Sequence, residues 1–177
     1  MRKVWFRFIL VGGLLVGGLL ATQSVSAQQG KPPCAGVEHR EFDFWLGEWD
    51  VSVVGTGQVA GKSSITSILD GCAILESYQT AGGYRGNSHN AYDRSTGQWH
   101  QTWVDNAGVV LKLDGGIEDG KMVLSGPGKD AQGHDIINRI TWTPHADGTV
   151  QQTWTVSGDG GKTWKTAFDG MYRKRAG

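Results

Sequence analysis

From about residue 46 to the C-terminus, apolar and polar residues alternate with a period of two, the pattern of strands with one face buried. Turn chemistry interrupts the alternation roughly every 8–12 residues. The interruptions are Asp70-Gly71, Gly82-Gly83, Asp93 to Gly97, Asn106 to Gly108, Asp119-Gly120, Asp147-Gly148 and Asp159-Gly160-Gly161. Between them the pattern predicts strands near 47–54, 58–69, 73–80, 86–93, 98–105, 108–114, 120–126, 135–143, 148–157 and 163–173. Asp-Gly pairs suit tight hairpins because glycine takes a positive φ without a Cβ clash. Before the strands, Val37, Arg40, Glu41 and Phe44 are spaced as on a helix, which predicts one short helical turn within 36–45. Sequential hairpins with no long crossover favour an all-β, up-and-down antiparallel barrel of about ten strands over a two-sheet sandwich.

The first 27 residues have another character. Arg2, Lys3 and Arg7 precede the apolar run Phe8 to Leu20, and Val25-Ser26-Ala27 follows it with small residues. That order is the order of a secretory signal peptide. The run is shorter than the roughly 20 residues a spanning helix needs, and Gly12, Gly13, Gly17 and Gly18 interrupt it. The expected organisation is a signal peptide over 1–27, a leader over 28–36 and a single barrel domain over 37–177. The expected location is the periplasm or the exterior, with no stable membrane anchor after cleavage. Cleavage would remove three of the 17 basic residues and none of the 17 acidic ones, leaving a net charge of −3. With its one basic run at Arg173-Lys174-Arg175, read as a solvated tail, such a chain is a poor nucleic-acid binder.

In an oxidising compartment the only two cysteines, Cys34 and Cys72, have one pairing open to them. A disulfide is the favoured reading and two buried free thiols the alternative. Neither cysteine lies in a C-x-x-C, and the five histidines are scattered, so no metal site and no cofactor is expected. No nucleophile elbow or phosphate loop occurs either.

Candidate chemistry comes from strand parity. Trp99, Gln101, Trp103 and Asp105 share one face of a strand. Ile74, Glu76 and Tyr78 share another, and Ser88, Asn90 and Tyr92 a third. An ordinary core face is apolar throughout, whereas aromatics interleaved with hydrogen-bonding groups suit the wall of a small-molecule cavity. The same residues could instead form a closed internal network. Glu76 and Asp105 are the candidates for acid–base chemistry, since two carboxylates in one apolar cavity would have their pKa values pushed apart. Three readings follow: a barrel binding a small, partly apolar molecule, which leads; an acid–base isomerase, lyase or hydrolase; and a carbohydrate or envelope module using exposed tryptophans. Ser157-Gly158-Asp159-Gly160-Gly161-Lys162-Thr163-Trp164 has the Asp-box pattern, read here as a β-turn alone.

The segment Phe42-Asp43-Phe44-Trp45-Leu46-Gly47-Glu48-Trp49-Asp50-Val51 resembles the opening signature of a bacterial family of small β-barrels known as a domain of unknown function. The resemblance continues through Asp70 to Glu76, Ser88 to Asp93, Trp99 to Asp105, Asp159 to Trp164 and Phe168 to Tyr172. It implies a lipocalin-like or fatty-acid-binding-protein-like barrel. The Leu-Gly-x-Trp element is also similar to that of haem-binding nitrobindin-like barrels, but no histidine follows His145 to serve as an axial ligand on the last strands.

Overall fold

The structure is a computed structural model and describes residues 33–175. The signal peptide expected over 1–27 and most of the leader lie outside the described residues. Ten strands follow in order: β1 (Gly47–Val53), β2 (Val59–Ile68), β3 (Ala73–Gln79), β4 (Arg85–Asp93), β5 (Gln98–Asp105), β6 (Val110–Glu118), β7 (Lys121–Lys129), β8 (Asp135–Pro144), β9 (Val150–Ser157) and β10 (Lys165–Lys174). Each pairs antiparallel with its sequence neighbours, and β1 pairs with β10, so the sheet closes into the up-and-down barrel expected. Closure leaves no strand edge unpaired.

The connections follow the turn residues. Glu118 and Lys121 are register partners around Asp119-Gly120, whose φ values of 48° and 77° are those of a two-residue primed turn. Asp70-Gly71 behaves otherwise. It lies in a 3-10 turn, Leu69–Gly71, with Leu69 and Asp70 both left-handed. The strands predicted at 108–114 and 120–126 were cut short at glycines that the structure keeps inside β6 and β7. A Cβ at Gly115 would strike the Val123 carbonyl, and one at Gly126 the Lys112 carbonyl. These glycines let the two strands come close instead of ending them. Arg173 and Lys174, expected in a solvated tail, belong to β10, with Arg173 donating to Ser52 Oγ at 3.0 Å and Lys174 lying over the Trp49 ring.

The predicted N-terminal turn is 3-10 in type, in two pieces, Val37–Arg40 and Asp43–Trp45. It closes one end of the barrel. Phe42 stacks on Trp45 at 4.9 Å and meets Trp142 edge-on at 5.1 Å and Trp99 at 5.7 Å. All four rings are buried. The Trp49 indole N–H donates to the Trp45 carbonyl at 2.9 Å, which fixes the turn to the start of β1. A disulfide joins Cys34 to Cys72, with Cα atoms 5.0 Å apart, and Arg40 donates to the Gly71 carbonyl beside it. The plug is therefore held covalently to the β2–β3 connection. No described helix is long and apolar enough to cross a membrane.

Candidate functional site

Trp103 lies four residues beyond Trp99 on the same face of β5, about 13 Å further along the barrel at strand rise. There the interior is hollow. A cavity of roughly 260 Å³ is walled by Tyr78, Tyr84, Trp103, Trp154, Phe168 and Tyr172, with Leu111 and Ile140 among its apolar neighbours. Glu76, Gln101 and Gln152 are the polar side chains that reach it.

Three of the rings lean on glycine. A Cβ on Gly61 would lie 2.7 Å from Tyr78 Cζ, one on Gly86 2.6 Å from Trp103 Cη2, and one on Gly170 2.6 Å from Phe168 Cζ. Real side chains do not approach so closely, so the rings are recessed into space that only glycine leaves. The cavity is hollow partly for that reason.

Glu76 on β3 is 3% exposed and is the one carboxylate in the lining. Ser63 on β2 donates to its Oε1 at 3.0 Å, and Ser88 on β4 donates to its Oε2 at 2.9 Å. Behind Ser88 the amides are aligned. Gln101 donates to Asn90 Oδ1 at 2.7 Å, and Asn90 donates to Ser88 Oγ at 3.0 Å and to the Ile74 carbonyl at 3.3 Å. Burial pushes the Glu76 carboxyl up to about 7, against the two serine hydrogen bonds that pull it down. Among the cavity-lining residues there is no Lys, Arg or His to pair with it.

The aromatic polar handles are directed into the protein. Tyr78 donates to the Ala60 carbonyl at 2.9 Å, Tyr84 to Asp105 Oδ2 at 2.8 Å, Trp154 to Asn138 Oδ1 at 3.0 Å, and Tyr172 to Gln152 Oε1. Those hydroxyl and indole protons are thus spent on protein oxygens.

The residues expected from parity divide into four groups. Glu76, Tyr78, Gln101 and Trp103 line the cavity. Ser88 and Asn90 are fully buried behind it and act on Glu76 through hydrogen bonds. Tyr92 and Trp99 share the inward parity but face the plug, where Tyr92 packs on His39 and Trp99 donates to Glu41 Oε2 at 3.2 Å. Asp105 is a turn acceptor outside the cavity lining, taking hydrogen bonds from Tyr84, Trp103 and the Ala107 and Val109 N–H groups. Desolvation pushes its carboxyl up, but those donors outweigh it and hold the pKa below the usual aspartate range. Glu76 and Asp105 thus differ in role and do not form a pair in the cavity lining. Sequence parity missed Trp154 and Gln152 on β9 and Phe168 and Tyr172 on β10, although each pair shares a face. It had no signal for Tyr84, which precedes β4 in a loop.

Elsewhere the chemistry is structural. Asp159 accepts from Ser157, from the Lys162 and Thr163 N–H groups and from the Thr163 hydroxyl. Those hydrogen bonds, Thr163 first, lower its pKa to about 2. Trp164 closes the same turn by donating to the Gly161 carbonyl, with Arg139 over its ring at 4.2 Å. No described tryptophan is exposed, and Trp103, Trp154 and Trp164 are half-buried. No described group of His, Cys, Asp and Glu side chains is arranged to hold a metal ion. Comparison of the sequence with protein families and with curated proteins finds no match.

Proposed function

We propose that this protein is an exported barrel that binds a small, partly apolar molecule in the cavity around Glu76. The observation that carries this reading is the hollow itself: apolar walls surround one buried, hydrogen-bonded carboxylate. Apolar area supplies affinity and a few placed polar groups supply orientation. At interior packing density, roughly 260 Å³ accommodates about a dozen non-hydrogen atoms. The part of the guest held inside the barrel is therefore small, about the size of a single substituted ring. Export is supported by the signal-like N-terminus and by the Cys34–Cys72 disulfide, a bond that persists in oxidising compartments.

The test uses the indole N–H resonances of protein labelled with nitrogen-15. Small aromatic compounds titrated into the mature protein should shift Trp103 and Trp154 and leave Trp45, in the plug, and Trp142, packed against it, unmoved. If no small molecule shifts Trp103 or Trp154, and native mass spectrometry finds no bound compound, the reading fails.

A carboxyl whose pKa stands near 7 is also poised to take or give a proton at neutral pH. That observation favours a second reading, in which Glu76 alone is the general acid or base for a guest bound against it. Turnover that depends on Glu76, with a pH–rate limb near 7, would distinguish it from simple binding.

A further inference from the structure

We infer that the cavity selects an organic ammonium ion, a small amine with an apolar or aromatic body whose charged head sits against Glu76. The inference rests on the small-molecule reading above and names the class of guest. Three features point the same way.

The first is the sign of the missing charge. Glu76 is buried, and among the cavity-lining residues no cation compensates it. An unpaired buried carboxylate is costly, and a cation arriving in the cavity removes that cost. A guest carboxylate or phosphate would add to it.

Second, the direction of the hydrogen bonds uses up the hydroxyl and indole donors. The Ser63 and Ser88 hydroxyls already donate to Glu76. Tyr78, Tyr84, Trp154 and Tyr172 donate to protein oxygens, and Trp103 donates to Asp105. Gln101 spends one amide N–H on Asn90 and keeps its oxygen and its second N–H. Gln152 keeps its amide N–H groups for a guest, because its oxygen accepts from Tyr172. With its hydroxyl and indole protons spent and a carboxylate among its polar groups, the site is complementary to a charged donor.

Third, the walls suit a cation. Tyr78 meets Trp103 edge-on at 6.5 Å and Tyr84 at 6.4 Å, and Trp154, Phe168 and Tyr172 complete an aromatic lining. Aromatic faces attract ammonium groups through the ring quadrupole, most strongly where water is excluded. A carboxylate at the head and rings around it together make a cage for an amine.

Binding should be linked to protons. Only the ionised carboxylate attracts the ammonium, so the guest must displace the proton that burial favours. The titratable groups facing Glu76 are Tyr78 and Tyr172, and burial raises the pKa of each, so both stay neutral near pH 7.

The test compares 2-phenylethylammonium with 2-phenylethanol, which differ only in the head group, by calorimetric titration of the mature protein. At pH 8 the ammonium should bind at least tenfold more tightly than the alcohol. From pH 6 to pH 8 its affinity should rise about tenfold, as expected for a carboxyl titrating near 7, while that of the alcohol stays flat. Near pH 7, titrations in buffers of different ionisation heat should show about half a proton released per ammonium bound. Glu76→Gln should erase the preference and keep the alcohol. The proton count, measured on the unaltered protein, serves if that variant does not fold. Equal affinities at pH 8, tighter binding of the alcohol, or no proton release overturns the ammonium assignment and leaves the small-molecule reading in place. A failure of both compounds to bind at any pH, with Trp103 and Trp154 unmoved, removes both.

Discussion

Ser88 on β4 and Glu76 on β3 are register partners, and the serine hydroxyl donates to Glu76 Oε2 at 2.9 Å. The donor is aimed from behind, because Asn90 donates to the same serine oxygen and so turns its proton towards the carboxylate. A hydrogen bond to the charged form lowers a carboxyl pKa. Ser88→Ala should therefore raise the Glu76 pKa by about one unit, the equivalent of a charge-assisted hydrogen bond. Carbon-13 shifts of the Glu76 carboxyl across a pH series measure it directly. An unchanged or lowered value would show that Ser88 does not hold the ionised form.

The raised pKa has a consequence for stability. Folded, Glu76 keeps its proton up to about 7; unfolded, it loses it near 4.5. Between those values the folded state binds more protons than the unfolded one, so stability falls as pH rises. The contribution is fully present below about 4.5 and lost by the time the pH passes about 7. The full change is on the order of 3 kcal/mol. Denaturant unfolding at a series of pH values should show this falling limb in the unaltered protein and a flatter one in Glu76→Gln. Two curves of the same slope would contradict the assignment.

The inward face of β5 gives a three-way contrast. Trp103→Ala should weaken a bound guest by about 1–3 kcal/mol through lost aromatic contact. Thr102→Ala, on the exposed face, should change binding by less than about 0.5 kcal/mol. Trp99→Ala should act on the fold, costing about 3–5 kcal/mol as a cavity opens under Phe42. Paired binding and unfolding measurements separate the three, and equal effects of Trp103→Ala and Thr102→Ala on binding would refute the placement of the cavity.

These contrasts mark how far the sequence could be read. Period-two alternation and Asp-Gly turns were enough for the ten strands, because both depend on local geometry that a residue string carries. Inward parity is legible too, and it picks out Glu76, Tyr78, Gln101 and Trp103. Parity, however, gives a side and not a depth. Trp99 and Trp103 point the same way, yet one packs against Phe42 and the other lines the hollow. The difference is set by the plug, a contact between residue 42 and residues 99 and 142 that no local period contains. Asp105 shares the inward parity without entering the lining: it accepts from Tyr84, Trp103 and the N–H groups of its own turn.

The disulfide closes a loop of 38 residues and restricts the unfolded chain. Cys72→Ala should lower stability by roughly 2–4 kcal/mol. Because the bond anchors the segment that carries Phe42 and Trp45, hydrogen exchange at the Trp45 and Trp49 indoles should accelerate more than exchange in β7 and β8. Uniform acceleration across the barrel would argue against a local anchoring role.

Asp159→Ala should lower the melting temperature, since five hydrogen bonds organise the turn through Asp159 and Ser157. With a pKa lowered to about 2, the carboxylate keeps this role above the ordinary aspartate range and loses it as pH falls through about 2. Guest affinity of the folded variant should be unchanged. A large loss of affinity at unchanged stability would assign the turn to the binding site instead.

Gly61, Gly86 and Gly170 place the control of guest size behind the cavity wall rather than on it. Alanine at Gly170, whose nearest neighbours are side chains of Phe168 and Val51, would push one ring forward and narrow the space without altering a residue that touches the guest. Gly61 and Gly86 also face the backbone carbonyls of Gln79 and Val104, so they are costlier to change. Volume and charge are thus set by separate residues, the glycines for one and Glu76 with its serines for the other. A lineage, or a designer, can retune how large a guest is admitted while the head-group preference is inherited intact.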